Sequence, residues 1–378
     1  MPPAPHVSRW FAELAAAAGR RHGAATTPAV RPASRRRAPR ALAWAAVGIV
    51  VLQFGLGTAA ELYTRIRDPL YGDKLAKLRR RVEEPTTDPL KVVMFGSSRT
   101  GLAFHGLRVE ERLRVDLGRP VVAFNYGIPA AGPVTELVYV NRLLADGITP
   151  DLVLLEVLPS TLAEVPNGPL ERHWFFADRL RYSEQAIVIR HGFDPSVVHE
   201  RWWRTVLLPW YMLRFPVLTR IVPSWVPLPV RTDWSSGADP CGWGQSPRQQ
   251  PTQDERATGF ARARLEYEAT LATLTPGGPA ADALRELLAL CKARGVAVRL
   301  VLMPESAAFR AFYSPAVSAR LDAFMKALSA EYAVPVIDAR QWVPDDQFTD
   351  GHHLLVVGAE TFSDRMTREV IEPFLHDR

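Results

Sequence analysis

Val92-Val93-Met94-Phe95-Gly96-Ser97-Ser98-Arg99-Thr100-Gly101 reads as a buried strand that runs into a sharp turn and a helix start. Four large or β-branched apolar residues in a row suit a strand covered on both faces, as parallel sheets are. Gly96 permits the sharp turn. A serine at the carboxyl end of such a strand stands at the rim where open α/β sheets bind ligands. N–H groups opening the next helix can face a developing oxyanion there. A serine that merely caps the helix reads the same way.

Working outward, comparable apolar runs recur at 121–124, 152–157, 296–303 and 334–337. Helical patterns lie between and after them, at 107–117, 134–144, 281–293, 315–332 and 358–374. Strand alternating with helix predicts an α/β fold, a parallel sheet with helices on both faces. The alternation lapses over about 160–275, a stretch dense in Trp, Arg and Pro that holds Trp202, Trp203, Trp210, Trp225, Trp234 and Trp243. It reads as an insertion over one end of the sheet. Its rings suit core packing, a membrane surface or a substrate cleft. Residues 206–213 are too short, and too broken by Pro209 and Arg214, for a second membrane span.

The carboxyl-terminal stretch Phe348-Thr349-Asp350-Gly351-His352-His353-Leu354 supplies titratable groups. Asp three residues before His lets both side chains share one loop. The carboxylate can then hold the Nδ1–H of His353 and aim Nε2 outward as a general base. Asp350 with two histidines also fits a metal, but no further ligand cluster is evident, so no metal or cofactor is expected. Arg99 fits an anionic substrate group or a surface ion pair. Glu305, after the fourth strand, fits a pocket wall or a helix-start carboxylate. Asp338 reads as a loop cap.

Together these residues resemble the SGNH/GDSL hydrolase superfamily, over roughly residues 90–160 and 280–375, with the insertion unmatched. The resemblance implies a flavodoxin-like sheet. It implies Ser98 as nucleophile, since Gly96-Ser97-Ser98 matches the family's Gly-Asp-Ser with Ser97 in the aspartate's place. Asp350-Gly351-His352-His353 matches Asp-x-x-His and implies Asp350 and His353 as partners. Ser97 and His352 are the fallbacks. The family's second block is a glycine whose N–H serves the oxyanion, for which Gly127 or Gly132 stands with shifted spacing. The third block departs: Leu158-Pro159-Ser160-Thr161 lacks the family's oxyanion-donating asparagine. Loss of such a donor costs on the order of 10²–10³ in rate unless Ser160, Thr161 or another group replaces it. The chain looks most like membrane-anchored SGNH-like envelope proteins. That implies a serine esterase or O-acyltransferase acting on acetyl or other acyl esters of envelope carbohydrate, or of a lipid-linked substrate. The alternative is an inactive domain that binds glycan or serves as scaffold to a membrane acyltransferase.

Residues 41–60, ALAWAAVGIVVLQFGLGTAA, pass without a charge. At 1.5 Å per residue they cover ~30 Å, the thickness of the hydrocarbon core, and predict one transmembrane helix. A cleaved signal peptide competes with this reading through Gly57-Thr58-Ala59-Ala60. Residues 1–40 carry eight arginines and one acid, and read as a disordered basic tail. Arg31, Arg35, Arg36, Arg37 and Arg40 abut the span and predict a cytoplasmic N-terminus in a cell-membrane protein, with the main domain outside. Residues 61–88 read as a juxtamembrane linker or helix and 89–378 as the α/β domain. Residues 41–378 hold 38 basic and 39 acidic residues. The body therefore lacks the positive field that nucleic-acid binding requires. Cys241 and Cys291 allow one disulfide and exclude a disulfide scaffold.

Overall fold

The computed structural model describes residues 37–84, 87–116, 120–175, 177–227, 230–233, 237–244 and 246–376. Most of the basic tail, and Trp234, lie outside the described residues. Contacts divide the chain into Met1–Leu52 and Gln53–Arg378.

In the second unit five parallel strands form one sheet: β1 (Leu90–Gly96), β2 (Val121–Gly127), β3 (Leu152–Glu156), β4 (Ala297–Leu302) and β5 (Val336–Asp338). Their spatial order is β2-β1-β3-β4-β5. This is the flavodoxin-like order, whose switch point lies between β1 and β3. Gly96 pairs with Gly127, and Phe95 with Leu155, so the strands end together on one rim.

Alternation along each strand sorts the core onto two faces. Val93, Phe95, Phe124, Val153 and Leu300 face a layer that includes Val138 and Leu287. Val92, Met94, Ala123, Leu154 and Val301 face Val109, Leu113, Phe362 and Ile371. The helices behind these contacts are Pro133–Ala145, Gly278–Ala293 and Pro315–Tyr332, then Gly106–Asp116 and Val356–Met366. The expected helix 358–374 is instead broken by a π-helical turn at Thr367–Ile371.

The stretch 61–88, read as a linker or helix, is helical at Thr64–Arg67 and Pro69–Glu83. Its helix Pro69–Glu83 buries Tyr71, Leu75 and Leu78 in the first core layer, because apolar residues spaced three and four apart form one face. Cys241 and Cys291 are both buried free thiols, so they form no disulfide.

The helix Arg37–Leu62 covers the predicted span. Pro39–Leu62 is long and apolar enough to cross a membrane by length and composition, a test that a signal sequence also passes. The insertion is built from short helices until Gln253–Thr273, which opens with a reciprocal Thr252–Glu255 capping box.

Candidate active site

β1 delivers Ser97 and Ser98 to the rim, and the helix Ser98–Ala103 begins at once. The two serines divide their tasks. Ser97 caps the helix: its Oγ accepts from Arg99 N at 3.1 Å and donates to Glu156 at 2.9 Å. Ser98 is left half-buried, with Oγ 2.9 Å from His353 Nε2 across 255 positions of sequence. Ser97, the fallback, is thus engaged elsewhere.

Asp350 organises the opposite loop. Its Oδ1 accepts from the backbone N–H of His352 at 3.2 Å and of His353 at 2.9 Å. Its Oδ2 stands 2.7 Å from His353 Nδ1. Burial works to raise this carboxyl. The hydrogen bond from His353, with the charges of His353 and His352, overcomes burial and holds it far below the usual carboxylate range. Gly351 turns the loop at φ +96°, a left-handed value that favours glycine. Asp350 therefore stays ionised, fixes the imidazole by Nδ1, and leaves Nε2 to Ser98. Such an arrangement can take a proton from a hydroxyl and return it to a leaving group.

His352 is 5% exposed, with its ring 5.0 Å from Tyr267 and 5.2 Å from Phe309. Burial, then the neighbouring His353 charge, pushes its pKa well below the ordinary value. Its Nδ1 has no hydrogen-bond partner among the described residues. His353 and not His352 meets the serine. Donor atoms of Asp350, His352 and His353 lie within 4.8 Å of one another, a spacing open to a cation. Their mutual hydrogen bonds already engage both Asp350 oxygens and His353 Nδ1.

Behind the serines lies a buried ionic layer. Glu156, the last residue of β3, accepts from Ser97 N at 2.7 Å, Thr100 Oγ1 at 2.7 Å and Thr100 N at 3.3 Å. A β-carbon at Gly96 would run into this carboxylate and the Thr100 hydroxyl, which is why glycine ends the strand. Arg99 is 2% exposed and donates to Pro304 O at 2.9 Å, Met303 O at 3.2 Å and Glu305 Oε1 at 3.4 Å. Burial opposes its charge, but Glu305 and Glu156 lift its pKa above the ordinary value. Arg99 is therefore neither a surface ion pair nor open to a substrate anion, and Glu305 is its buried partner, not a pocket wall. The helix-start role expected of Glu305 falls to Ser306, whose Oγ accepts from Phe309 N.

Both glycine N–H groups expected to serve an oxyanion are occupied. Gly127 N donates to Asn125 Oδ1 at 2.9 Å. Gly132 N donates to Glu171 Oε2 at 3.1 Å. Glu171 also accepts from Val134 N at 2.8 Å, Thr135 N at 3.0 Å and the Thr135 hydroxyl. Among the third-block candidates, Thr161 Oγ1 donates to Leu158 O at 2.7 Å. Ser160 Oγ is buried without a partner among the described residues. The Ser98 N–H likewise carries no hydrogen bond there. Asp338 caps its loop through Arg340 N at 3.1 Å.

Sequence reasoning missed Glu156, Glu171 and Tyr267. A lone acid closing the apolar run Leu152-Val153-Leu154-Leu155 was a signal for Glu156. Glu171 and Tyr267, inside the insertion, gave none. A cavity of about 860 Å³, which none of Ser98, Asp350 and His353 lines, is bounded by Pro129 and Ala130 after β2 and by Trp174, Arg201, Tyr211 and Arg214 of the insertion. The same loop is tied to β1 by Ile128 N to Gly96 O at 2.8 Å.

No family model matches the chain. No curated protein sequence matches it either. Among solved structures the chain is similar to the lipase/acylhydrolase from Enterococcus faecalis, at 13% identity over 75% of this chain and 96% of that one, TM-score 0.34. It is also similar to AlinE4, an SGNH-hydrolase family esterase, at 12% identity over 76% and 98%, TM-score 0.34. A third likeness is to LAE5, an alpha/beta hydrolase enzyme from the metagenome of Lake Arreo, Spain, at 14% identity over 72% and 91%, TM-score 0.32.

Proposed function

We propose that this chain is a membrane-anchored SGNH-type serine esterase or O-acyltransferase acting on acyl esters of envelope carbohydrate. The contact that carries the reading is Ser98 Oγ to His353 Nε2 at 2.9 Å, with His353 Nδ1 held by Asp350 at 2.7 Å. Ser98 attacks the ester carbonyl while its proton passes to His353 Nε2. The leaving alcohol departs with that proton, and an acyl-enzyme remains. Water, or a sugar hydroxyl, gives its proton to His353 and takes the acyl group, and the Ser98 oxygen leaves with that proton from His353 Nε2. The Ser98 N–H is the donor left for the oxyanion. The helix Arg37–Leu62 is the anchor, with the basic end cytoplasmic and the α/β body outside.

One observation favours an inactive, glycan-binding scaffold for a membrane acyltransferase: both glycine N–H groups that an oxyanion would use are already occupied. A fluorophosphonate probe separates the two. An esterase is labelled in a way that Ser98→Ala abolishes, and it turns over p-nitrophenyl acetate. A folded chain that takes neither label nor acetyl ester, yet binds envelope glycan, is the scaffold.

A further inference from the structure

Outside the apolar span, exposed large apolar side chains concentrate in one part of the insertion. Trp203, Leu207, Leu208, Trp210, Tyr211, Ile221 and Trp225 all face solvent, Ile221 at 70% and Trp225 at 76%. Elsewhere in the body such residues stand singly, as Leu107, Leu265 and Val357 do. Scattered residues need no explanation, but a contiguous patch does. The patch is carried by the helices Pro195–Leu207, Pro209–Met212 and Arg214–Ile221 and the turn Pro223–Trp225.

Charge goes with it. Residues 195–225 contain four arginines and one acid, Glu200, a net of +3 in a body (residues 41–378) that sums to −1. Glu200 is paired with Arg204 at 2.6 Å. Arg201 has no ion-pair partner among the described residues. Arg214 lies 4.1 Å from the Tyr211 ring centroid and 4.3 Å from that of Phe215.

The patch also adjoins the end of the apolar helix. A β-carbon at Gly57 would come within 3.8 Å of Val206 O and 3.9 Å of Pro209 Cγ. Just past the helix, Arg220 donates to Arg65 O at 2.9 Å and pairs with Asp73 at 2.8 Å, while Arg67 lies 5.8 Å from the Trp202 ring. Exposed Leu62 and Tyr63 sit in this same junction. Tryptophan and tyrosine beside arginine are the side chains that settle at the headgroup level of a bilayer. Cations near an anionic leaflet add attraction to it.

We infer that residues 195–225 form a second, interfacial membrane contact, lying in the anionic headgroup layer beside the point where the anchor leaves the bilayer. This rests on the anchor reading above. The contact holds the insertion, and with it the cavity it helps to line, against the lipid surface.

The test uses the full chain in nanodiscs, with an environment-sensitive fluorophore on single introduced cysteines and nitroxide-labelled lipid as quencher. Cys241 and Cys291 are buried, and the unsubstituted chain sets the background. Leu208→Cys and Trp225→Cys report the patch, Leu265→Cys the exposed body, and Val50→Cys the anchor. The expected result is quenching at 208 and 225 well above that at 265. It should be stronger in discs containing phosphatidylglycerol than in phosphatidylcholine alone. Quenching at 50 with 208 and 225 no different from 265 overturns the interfacial contact, leaves the anchor standing, and points to a protein partner on the patch. Quenching at 208 and 225 without 50 supports the contact and overturns the anchor. No quenching at any position overturns both.

Discussion

Two helix starts on the rim of the sheet are each held by a buried carboxylate, and they differ in what they leave open. At the end of β1, Glu156 takes the N–H groups of Ser97 and Thr100 but leaves the N–H and hydroxyl of Ser98 to the site. At the start of the helix Pro133–Ala145, Glu171 takes Gly132, Val134 and Thr135 together and leaves nothing. A helix start attracts an anion through its unpaired N–H groups and its dipole. Here the chain fills both seats with its own carboxylates. Under the proposed function, reactivity belongs to the seat that is filled incompletely.

Four experiments break or sharpen this contrast. The largest effect belongs to the open seat: Ser98→Ala should lower acetyl ester turnover by roughly 10⁴-fold or more without loss of fold. Equal turnover in variant and parent, above background, removes Ser98 from the reaction. At the closed seat, Glu171→Ala orphans three buried N–H groups and should cost about 3 kcal/mol in stability. Thermal unfolding reads that loss, and turnover per folded molecule should hold. A collapse of turnover in folded protein would show that the second seat takes part in catalysis after all.

The third experiment concerns Glu136, which lies near both holders. Burial first, then the charges of Glu156 and Glu171, pushes its carboxyl well above the ordinary value. The native chain therefore keeps a proton that the unfolded chain releases. This stabilisation is complete below the unfolded carboxyl value and fades as pH rises through the raised native value. Glu136→Gln should make unfolding temperature less dependent on pH from 5 to 8, with its gain over the parent growing toward pH 8. Parallel pH curves for the two would contradict the assignment. The smallest effect is Ser97→Ala, which removes a helix cap and should cost about 1 kcal/mol, with turnover changing far less than in Ser98→Ala.

The sequence made some of this legible. Alternating strand and helix patterns foretold the parallel sheet, because buried parallel strands read as unbroken apolar runs. The nearness of Ser98, Asp350 and His353 was foreseeable, since strand ends and the loop before the last helix meet on one rim in this fold class. The expected roles of Gly127 and Gly132 did not survive. Their N–H groups are taken by side chains from Asn125, two residues before, and Glu171, 39 residues after. No pattern in a single chain foretells which side chain will reach a given amide. Arg99 was misread for a related reason. Its partners are Glu156, which ends β3, and Glu305, which follows β4, and only the register of β3 against β4 buries all three together.

The 255 positions between Ser98 and His353 carry a consequence for timing. A ribosome makes the hydroxyl 255 residues before the imidazole. Until the segment that carries His353 has emerged and docked beside β1, the nascent polypeptide holds half of a pair. Proteolytic clipping ahead of residue 350 would return a finished molecule to the same incomplete condition.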